Sequence, residues 1–393
     1  MNETIATIAL PLTVLILPSL VAVPMALTPW LTDRREVFGV TVPRAAHRDS
    51  RIRTLKTAYT RAVVVADAAC VVCSFAAWLL AGATGALWAA GAATIVVAVL
   101  AVAAQQACRR KVMAVKRERG WTADGDRRAA AVAETVAPEP LGLGWESLQA
   151  VALAVTILIG VLGYESMPDR VPMHMDLAGR VDSWAVKSPS VIWYPVLAQL
   201  LMAVVMVVCH AVLLRSRRPT DPERPASSAY AYGVYARAWS VYLVVVGLLV
   251  AAAMGWGFQL SLIGVVGTGT VGVLLTLVAV AAAVGAIGVG VRYGQNGARV
   301  FAGDDGDVTG DGGDVTGDGG HDGDGDGDGT MPRDDDRHWI GGVIYWNRDD
   351  PAVIVPKRFG IGWTCNFARP GAWAAIVALL AVIAGMPVAF SLP

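Results

Sequence analysis

Apolar runs long enough to cross a lipid bilayer recur along almost the whole chain, and no other feature limits its fold as strongly. They extend from Ile5 to Leu31, Ala62 to Leu80, Ala86 to Ala107, Leu148 to Gly163, Val191 to Leu214, Val241 to Gly257, Leu262 to Val291 and Trp373 to Phe390. The stretch from Val241 to Val291 is too long for one crossing. The glycines and polar residues of Gly255-Trp-Gly-Phe-Gln-Leu-Ser261 suit a tight helical hairpin that divides it. With 55% hydrophobic residues against 16% charged ones, the chain carries more apolar surface than one soluble core would bury. The expected fold is an all-α integral membrane protein of about eight transmembrane helices, with a small cytoplasmic β-containing segment before the last helix.

Lys plus Arg and Asp plus Glu both number 32, yet the two signs are segregated. Arg34, Arg35, Arg44, Arg48, Arg51, Arg53 and Lys56 follow the first run, and Arg109, Arg110, Lys111, Lys116, Arg117 and Arg119 follow the third. Arg215, Arg217, Arg218 and Arg224 follow the fifth; Arg292, Arg299, Arg333, Arg337, Lys357 and Arg358 follow the seventh. Basic loops stay on the cytoplasmic side. All four therefore face inward, and an even number of spans leaves both termini outside a multi-pass protein of the cell membrane.

Few residues in the runs carry chemistry. Asp67 is the acid inside a run, about two turns from its cytoplasmic end; it is either functional or paired with Arg61 or a basic loop. Cys70 and Cys73 have the spacing of a redox or zinc pair, but a lipid-facing helix gives thiolate chemistry no water route and no second ligand pair. No disulfide, metal or cofactor is expected. Ile52, Leu55 and Tyr59 recur at helical spacing among basic residues, which suggests an amphipathic helix on the inner membrane surface. The tract from Asp304 to Asp336, with its tandem Asp-Val-Thr-Gly-Asp-Gly-Gly repeat, has little to bury and reads as a disordered linker. Asp324, Asp326, Asp328, Gly329 and Asp335 imitate a calcium loop without its closing Glu.

Two other segments carry recognisable motifs. Between the fourth and fifth runs, Pro168 and Pro172 fix an extended entry, Gly179 permits a turn with positive φ, and Trp184 is available to pack at the interface. Pro168, Pro172, His174, Gly179, Trp184 and Lys187 follow a Pro-x-x-x-Pro-x-His run, then Gly, then aromatic-x-x-Lys. The loop and its flanking spans thereby resemble the family catalogued as domain of unknown function 1648. That module also occurs in Sdp-type toxin immunity and signalling proteins, so the resemblance implies a membrane protein that senses an extracellular peptide ligand. Phe38-Gly-Val-Thr-Val-Pro43 is similar to the Gly-x-Arg-x-Pro element of those proteins, with Thr41 in the arginine's place.

Before the last run, two strands, Gly342 to Trp346 and Val353 to Pro356, are expected about an Asn-Arg-Asp-Asp-Pro turn. Trp339, Tyr345, Asn347, Asp350, Pro351, Lys357, Gly362 and Asn366 give this segment a resemblance to domain of unknown function 5808, which implies no activity. It reads as a module that docks at the membrane and meets a cytoplasmic protein partner.

The chain divides into an N-terminal transmembrane region (1–140), a helical hairpin with the external loop (141–215), a transmembrane hairpin (216–300), the Asp/Gly linker (301–336), the cytoplasmic module (337–370) and a C-terminal helix (371–393). No nucleophile and base, phosphate loop or nucleic-acid motif is present, so neither an enzyme nor a nucleic-acid binder is expected. The expected function is a sensor or immunity-type receptor embedded in the lipid bilayer. The alternative is a transporter or permease, against which the spans hold few ionisable residues.

Overall fold

A backbone withdrawn from water must satisfy its own hydrogen bonds, and the apolar runs do so as helices. The computed structural model describes residues 2–123, 137–175, 181–221, 225–301, 330–331 and 333–391. Its helices are α1 (Asn2–Leu31), α2 (Ser50–Gly82), α3 (Thr84–Glu118), α4 (Ser147–Gly163), α5 (Trp193–Arg215), α6 (Pro225–Leu262), α7 (Thr268–Tyr293) and α8 (Pro370–Ser391). Six of them, α2 to α7, are long and apolar enough among the described residues to cross a membrane, so the protein is a multi-pass membrane protein.

The chain reverses between α2 and α3 at Gly82, whose φ of +66° suits a residue without Cβ. Arg51 at the start of α2 consequently pairs with Glu118 at the end of α3 at 2.8 Å, and Arg119 with Asp49 at 3.1 Å. Asp49 caps α2 by accepting from the Arg51 backbone N–H at 2.8 Å. The amphipathic stretch of Ile52, Leu55 and Tyr59 is not a separate surface helix but the first turns of α2. A hairpin of β1 (Glu36–Val37) and β2 (Val40–Thr41) covers its apolar face, so Ile52, Tyr59 and Val63 are buried with Phe38 and Val112.

A second correction concerns the long apolar stretch. Gly255 to Ser261 stays helical inside α6, which contains a π-helical segment at Ala252–Trp256, and the reversal comes at residues 263–267 with Gly264 at φ +82°. Gly255 serves packing: a Cβ there would lie 2.1 Å from Gln199 Oε1. Gln259 donates to the Ile192 carbonyl at 2.7 Å. At 38 residues, α6 is about 57 Å long and outruns the bilayer core of about 30 Å.

Short strands complete the fold. β3 (Thr122–Ala123) follows α3, and β4 (Arg170–Met175) and β5 (Val181–Val186) form an antiparallel hairpin between α4 and α5. β6 (Thr330–Met331) pairs parallel with β3. β7 (Trp339–Ile340) pairs with β8 (Ile344–Tyr345), and β9 (Ile354–Pro356) with β10 (Trp363–Cys365). The two strands expected to face each other thus each take a local partner. The reason lies in the turn, where Asn347 Oδ1 accepts from the Asp349 N–H at 2.9 Å and Asp350 Oδ1 from the Ala352 N–H at 3.1 Å. These side chains deflect the backbone instead of folding it into a ladder.

Residues 302–329, which hold the tandem repeat and Asp324, Asp326 and Asp328, lie outside the described residues. The end of the tract is no linker, however. Met331, paired with Ala123 of β3, is buried, and so is Asp335, which a cation meets there.

Candidate functional site

The β4–β5 hairpin is anchored at its base. Lys187 Nζ donates to the carbonyls of Glu165 and Met167 at 3.0 Å each and sits 5.0 Å from the Tyr164 ring centre. Val171 is buried with Met167, Val191, Ile192 and Leu262, so the hairpin rests on the end of α6. Pro172 lies opposite Trp184, and His174 opposite Ser183, with a register shift between the two pairs. Pro168 is exposed, as are Trp184 at 56% and Val186 at 73%, which leaves an apolar outer face on an otherwise fixed hairpin. Gly179 lies outside the described residues.

The motif residues of the C-terminal module converge on one buried hub. Asn366 Nδ2 donates to the carbonyls of Asn347 (2.8 Å), Asp350 (3.1 Å) and Ala352 (3.2 Å). Tyr345 Oη donates to Asp350 Oδ2 at 2.8 Å, and Arg217, from the end of α5, reaches the same oxygen at 2.6 Å. The Trp339 ring lies 4.8 Å from that of Tyr345. Gly362 is held from both sides by Gln295, donating its N–H to Oε1 at 2.9 Å and accepting from Nε2 at 2.8 Å. Pro351 and Lys357 stand outside the hub, at the surface of the protein. The hub therefore sets the module's shape and ties it to α5 and α7.

Arg358, whose place beside Lys357 made it look like an ordinary juxtamembrane cation, is buried to 2%. It bonds Asp335 and Asp336, lies 3.6 Å from Glu36, and stacks 5.2 Å from the Trp339 ring centre. Lys116 reaches Asp334 and Asp336 at 2.7 Å each, and Thr41 donates its N–H to Asp336 at 2.9 Å. Asp335, at the last position of the calcium-loop imitation, is thus already paired. For Asp335, burial pulls the carboxyl upward, but Arg358, Arg333 and Arg217 outweigh it and hold it at about 2. For Glu36, met only at 3.2 Å by Arg333 and 3.6 Å by Arg358, burial prevails over both guanidiniums and lifts the carboxyl to about 8.

A raised pKa means that folding keeps a proton which the unfolded chain gives up above its ordinary value of 4.5. The contribution is complete below that value and is lost as pH rises to about 8. Burial also holds the nearby His47 imidazole down at about 3, so its contribution grows with pH up to its ordinary value of 6.5 and offsets Glu36 there. Melting temperature in detergent is expected to fall from about pH 6.5 to 8, each unit costing up to about 1.4 kcal/mol. Glu36→Gln should flatten that slope. An unchanged slope in the variant would remove Glu36 as its source.

A further polar assembly lies between the helices. On α4 and the turn before it, Glu146, Gln149 and Thr156 share a face; α5 contributes Gln199 and His210, and α6 contributes Ser240, Gln259 and two close approaches at Gly247 and Gly255. His210 is fully buried, with Nδ1 2.7 Å from Glu146 Oε1 and Nε2 2.8 Å from the Leu141 carbonyl. The carbonyl can only accept, so Nε2 donates to it, which leaves Nδ1 to bond Glu146 Oε1. Thr156 donates to Gln199. Both amide atoms of Gln149, Gln199 Nε2 and Gln259 Oε1 have no partner among the described residues. Searching the runs for charge missed this stripe, since Gln and Thr are neutral and Glu146 precedes its run. The signal was the spacing of Glu146, Gln149 and Thr156 along one helix face.

Asp67 accepts from Ser19 of α1 at 2.8 Å, so its partner is a neighbouring helix and not Arg61. Cys70 and Cys73 are thiols, and the described residues contain no cluster of three metal-ligating side chains.

No curated protein and no solved structure matches the chain. Two family models do, at the places where the motifs lie. Trp339, Tyr345 and Asn347 fall just before the second match, although they belong to the same hub as Asp350 and Asn366. Residues 151–198, which carry the β4–β5 hairpin, match the Domain of unknown function (DUF1648), and residues 348–373 match the Family of unknown function (DUF5808).

Proposed function

We propose that the protein is a non-enzymatic sensor or immunity-type receptor of the cell membrane, in which the β4–β5 hairpin meets an extracellular peptide and the C-terminal module relays the event to a cytoplasmic protein. In this reading α1 and α8 also span, giving eight crossings with both termini outside. The observation that carries it is the reach of α6. Its Leu262 end packs under the hairpin, while Tyr235 and Trp239 at the other end lie 5.8 and 6.4 Å from Trp363 of the module. One continuous helix thus touches both the recognition surface and the output segment.

Topology is the first expectation to test. With the five native cysteines replaced, a cysteine at Ser183 should react with an impermeant thiol reagent from outside and one at Ser227 only after permeabilisation. External labelling at both positions rejects the orientation. His174→Ala and Trp184→Ala should then leave folding and insertion unchanged while abolishing the response to secreted peptides. Loss of fold in step with loss of response would make the hairpin a brace.

The polar stripe favours a second reading, a transporter, because buried amides with spare donors and acceptors are suited to a polar solute. Solute uptake into proteoliposomes, abolished by Gln199→Leu, would select it over the sensor.

A further inference from the structure

The β7–β8 hairpin sorts its residues by face. Trp339 and Tyr345, directly paired, point into the module and are buried. Ile340 and Ile344, the next pair, point away with 58% and 44% of their surfaces exposed, and Val343 and Trp346 are exposed beside them. A cross-strand pair of isoleucines flanked by Val and Trp is a contiguous apolar patch, which a water-facing surface does not ordinarily keep.

Two markers give the depth of this patch. The hairpin turn lies against α3, where the Gly341 carbonyl accepts from Gln106 Nε2 at 2.9 Å and Gln105 Nε2 at 3.4 Å. Those glutamines close the apolar run of α3 about one turn before Arg109, Arg110 and Lys111, so they stand at the bilayer boundary. On the other side, the Tyr345 carbonyl accepts from the Phe367 N–H at 2.9 Å. Phe367 leads directly into α8, whose half-exposed Trp373 donates to the Phe367 carbonyl at 3.0 Å, as expected of a tryptophan at a membrane entry. The hairpin is hung between two points where the chain enters the apolar layer. Arg337 and Arg348 are exposed nearby, with Asp349 the acid on the same turn.

We propose that the outer face of the β7–β8 hairpin is a membrane-inserted wedge: Ile340, Val343, Ile344 and Trp346 occupy the boundary between headgroups and acyl chains, with phospholipid as their partner. Lipid removes the apolar patch from water, while the flanking arginines meet anionic headgroups. The wedge fixes the height of the module against the bilayer independently of its ion pairs with the first loop.

The full chain, with its native cysteines replaced, would carry a single bimane-labelled cysteine at Ile344 or Val343 and be reconstituted into liposomes containing brominated phospholipid. The control label sits at Glu118, exposed on α3 and about 18 Å further along that helix than Gln106. Brominated lipid is expected to quench the hairpin labels at least about fivefold more strongly than the control, and aqueous iodide to spare them. Quenching by iodide would place the patch in water and overturn the proposal. Protection from both quenchers would assign the patch to a protein partner or a second copy and overturn it equally. The Val343 label, on the turn, preserves the test if substitution at Ile344 disturbs the strand pair.

Discussion

Gly39→Ala is expected to release the C-terminal module from the first loop. Gly39 has φ +74°, and an added Cβ would lie 2.6 Å from the Gly342 carbonyl oxygen and 2.8 Å from the Gly342 Cα. Both obstacles are backbone, which has no rotamer to give way. Gly342, at φ +75°, is itself 3.0 Å from the Gly39 carbonyl by the same measure, so two tight turns rest on each other. The left-handed conformation alone costs an alanine about 1–2 kcal/mol, and the collision raises the total to about 3 kcal/mol or more. Amide exchange across residues 339–367 should accelerate on the order of 100-fold in the purified protein. Gly120→Ala supplies the comparison: Gly120 has φ +65° but open space around it, so only the conformational cost remains. Equal protection in the Gly39 variant and the wild type would show that the two turns do not hold the module.

Arg358→Met should be as damaging for a different reason. The substitution keeps much of the volume against Trp339 but strands Asp335 and Asp336 in a buried site, and breaking a buried pair in this way typically costs about 3–5 kcal/mol. Arg358→Lys is expected to recover little, since a point ammonium cannot divide itself between two carboxylates as a planar guanidinium does. The decisive variant combines Arg358→Met with Asp335→Asn and Asp336→Asn. If the damage comes from uncompensated charge, the triple variant melts higher than Arg358→Met alone. A triple variant that melts lower would mean that the acids stabilise the site through other partners, Lys116 first among them.

The membrane class was legible because spanning runs of apolar residues are a local signal, and six of them fold as helices of crossing length. Both motif segments were legible through residues whose types are dictated by turns and caps, such as Asn347, Asp350 and Pro351. What stayed hidden depends on partners distant in sequence. Gly255 looks the same whether it turns a chain or admits a neighbouring helix, and the presence of Gln199 and Thr156 decides the matter. Arg358 and Asp335 belong by composition to a basic boundary and an acidic tract; only folding makes them a buried pair. The strand pairing failed likewise, because Asn366, nineteen residues along by hydrogen bond from Asn347, captures the chain that was expected to form a ladder.

The π-helical segment in α6 also settles how one helix can serve a seam along its whole length. Such a segment accommodates one residue more than an α-helical turn, which shifts the phase of all that follows by about 100°. Ser240, Gly247, Gly255 and Gln259 all meet the junction of α4 and α5 or the segment leading into it: Ser240 at Leu141, Gly247 at Gln149, Gly255 at Gln199 and Thr156, Gln259 at Ile192. On an uninterrupted α-helix Gln259 would point about 100° away from Ser240; with the extra residue the two realign, and all four stay within about 40° of one line. The segment Ala252–Trp256 therefore acts as a phase corrector. Drift that would carry the stripe around the helix and into lipid is cancelled once, midway, and the same face is presented at both ends.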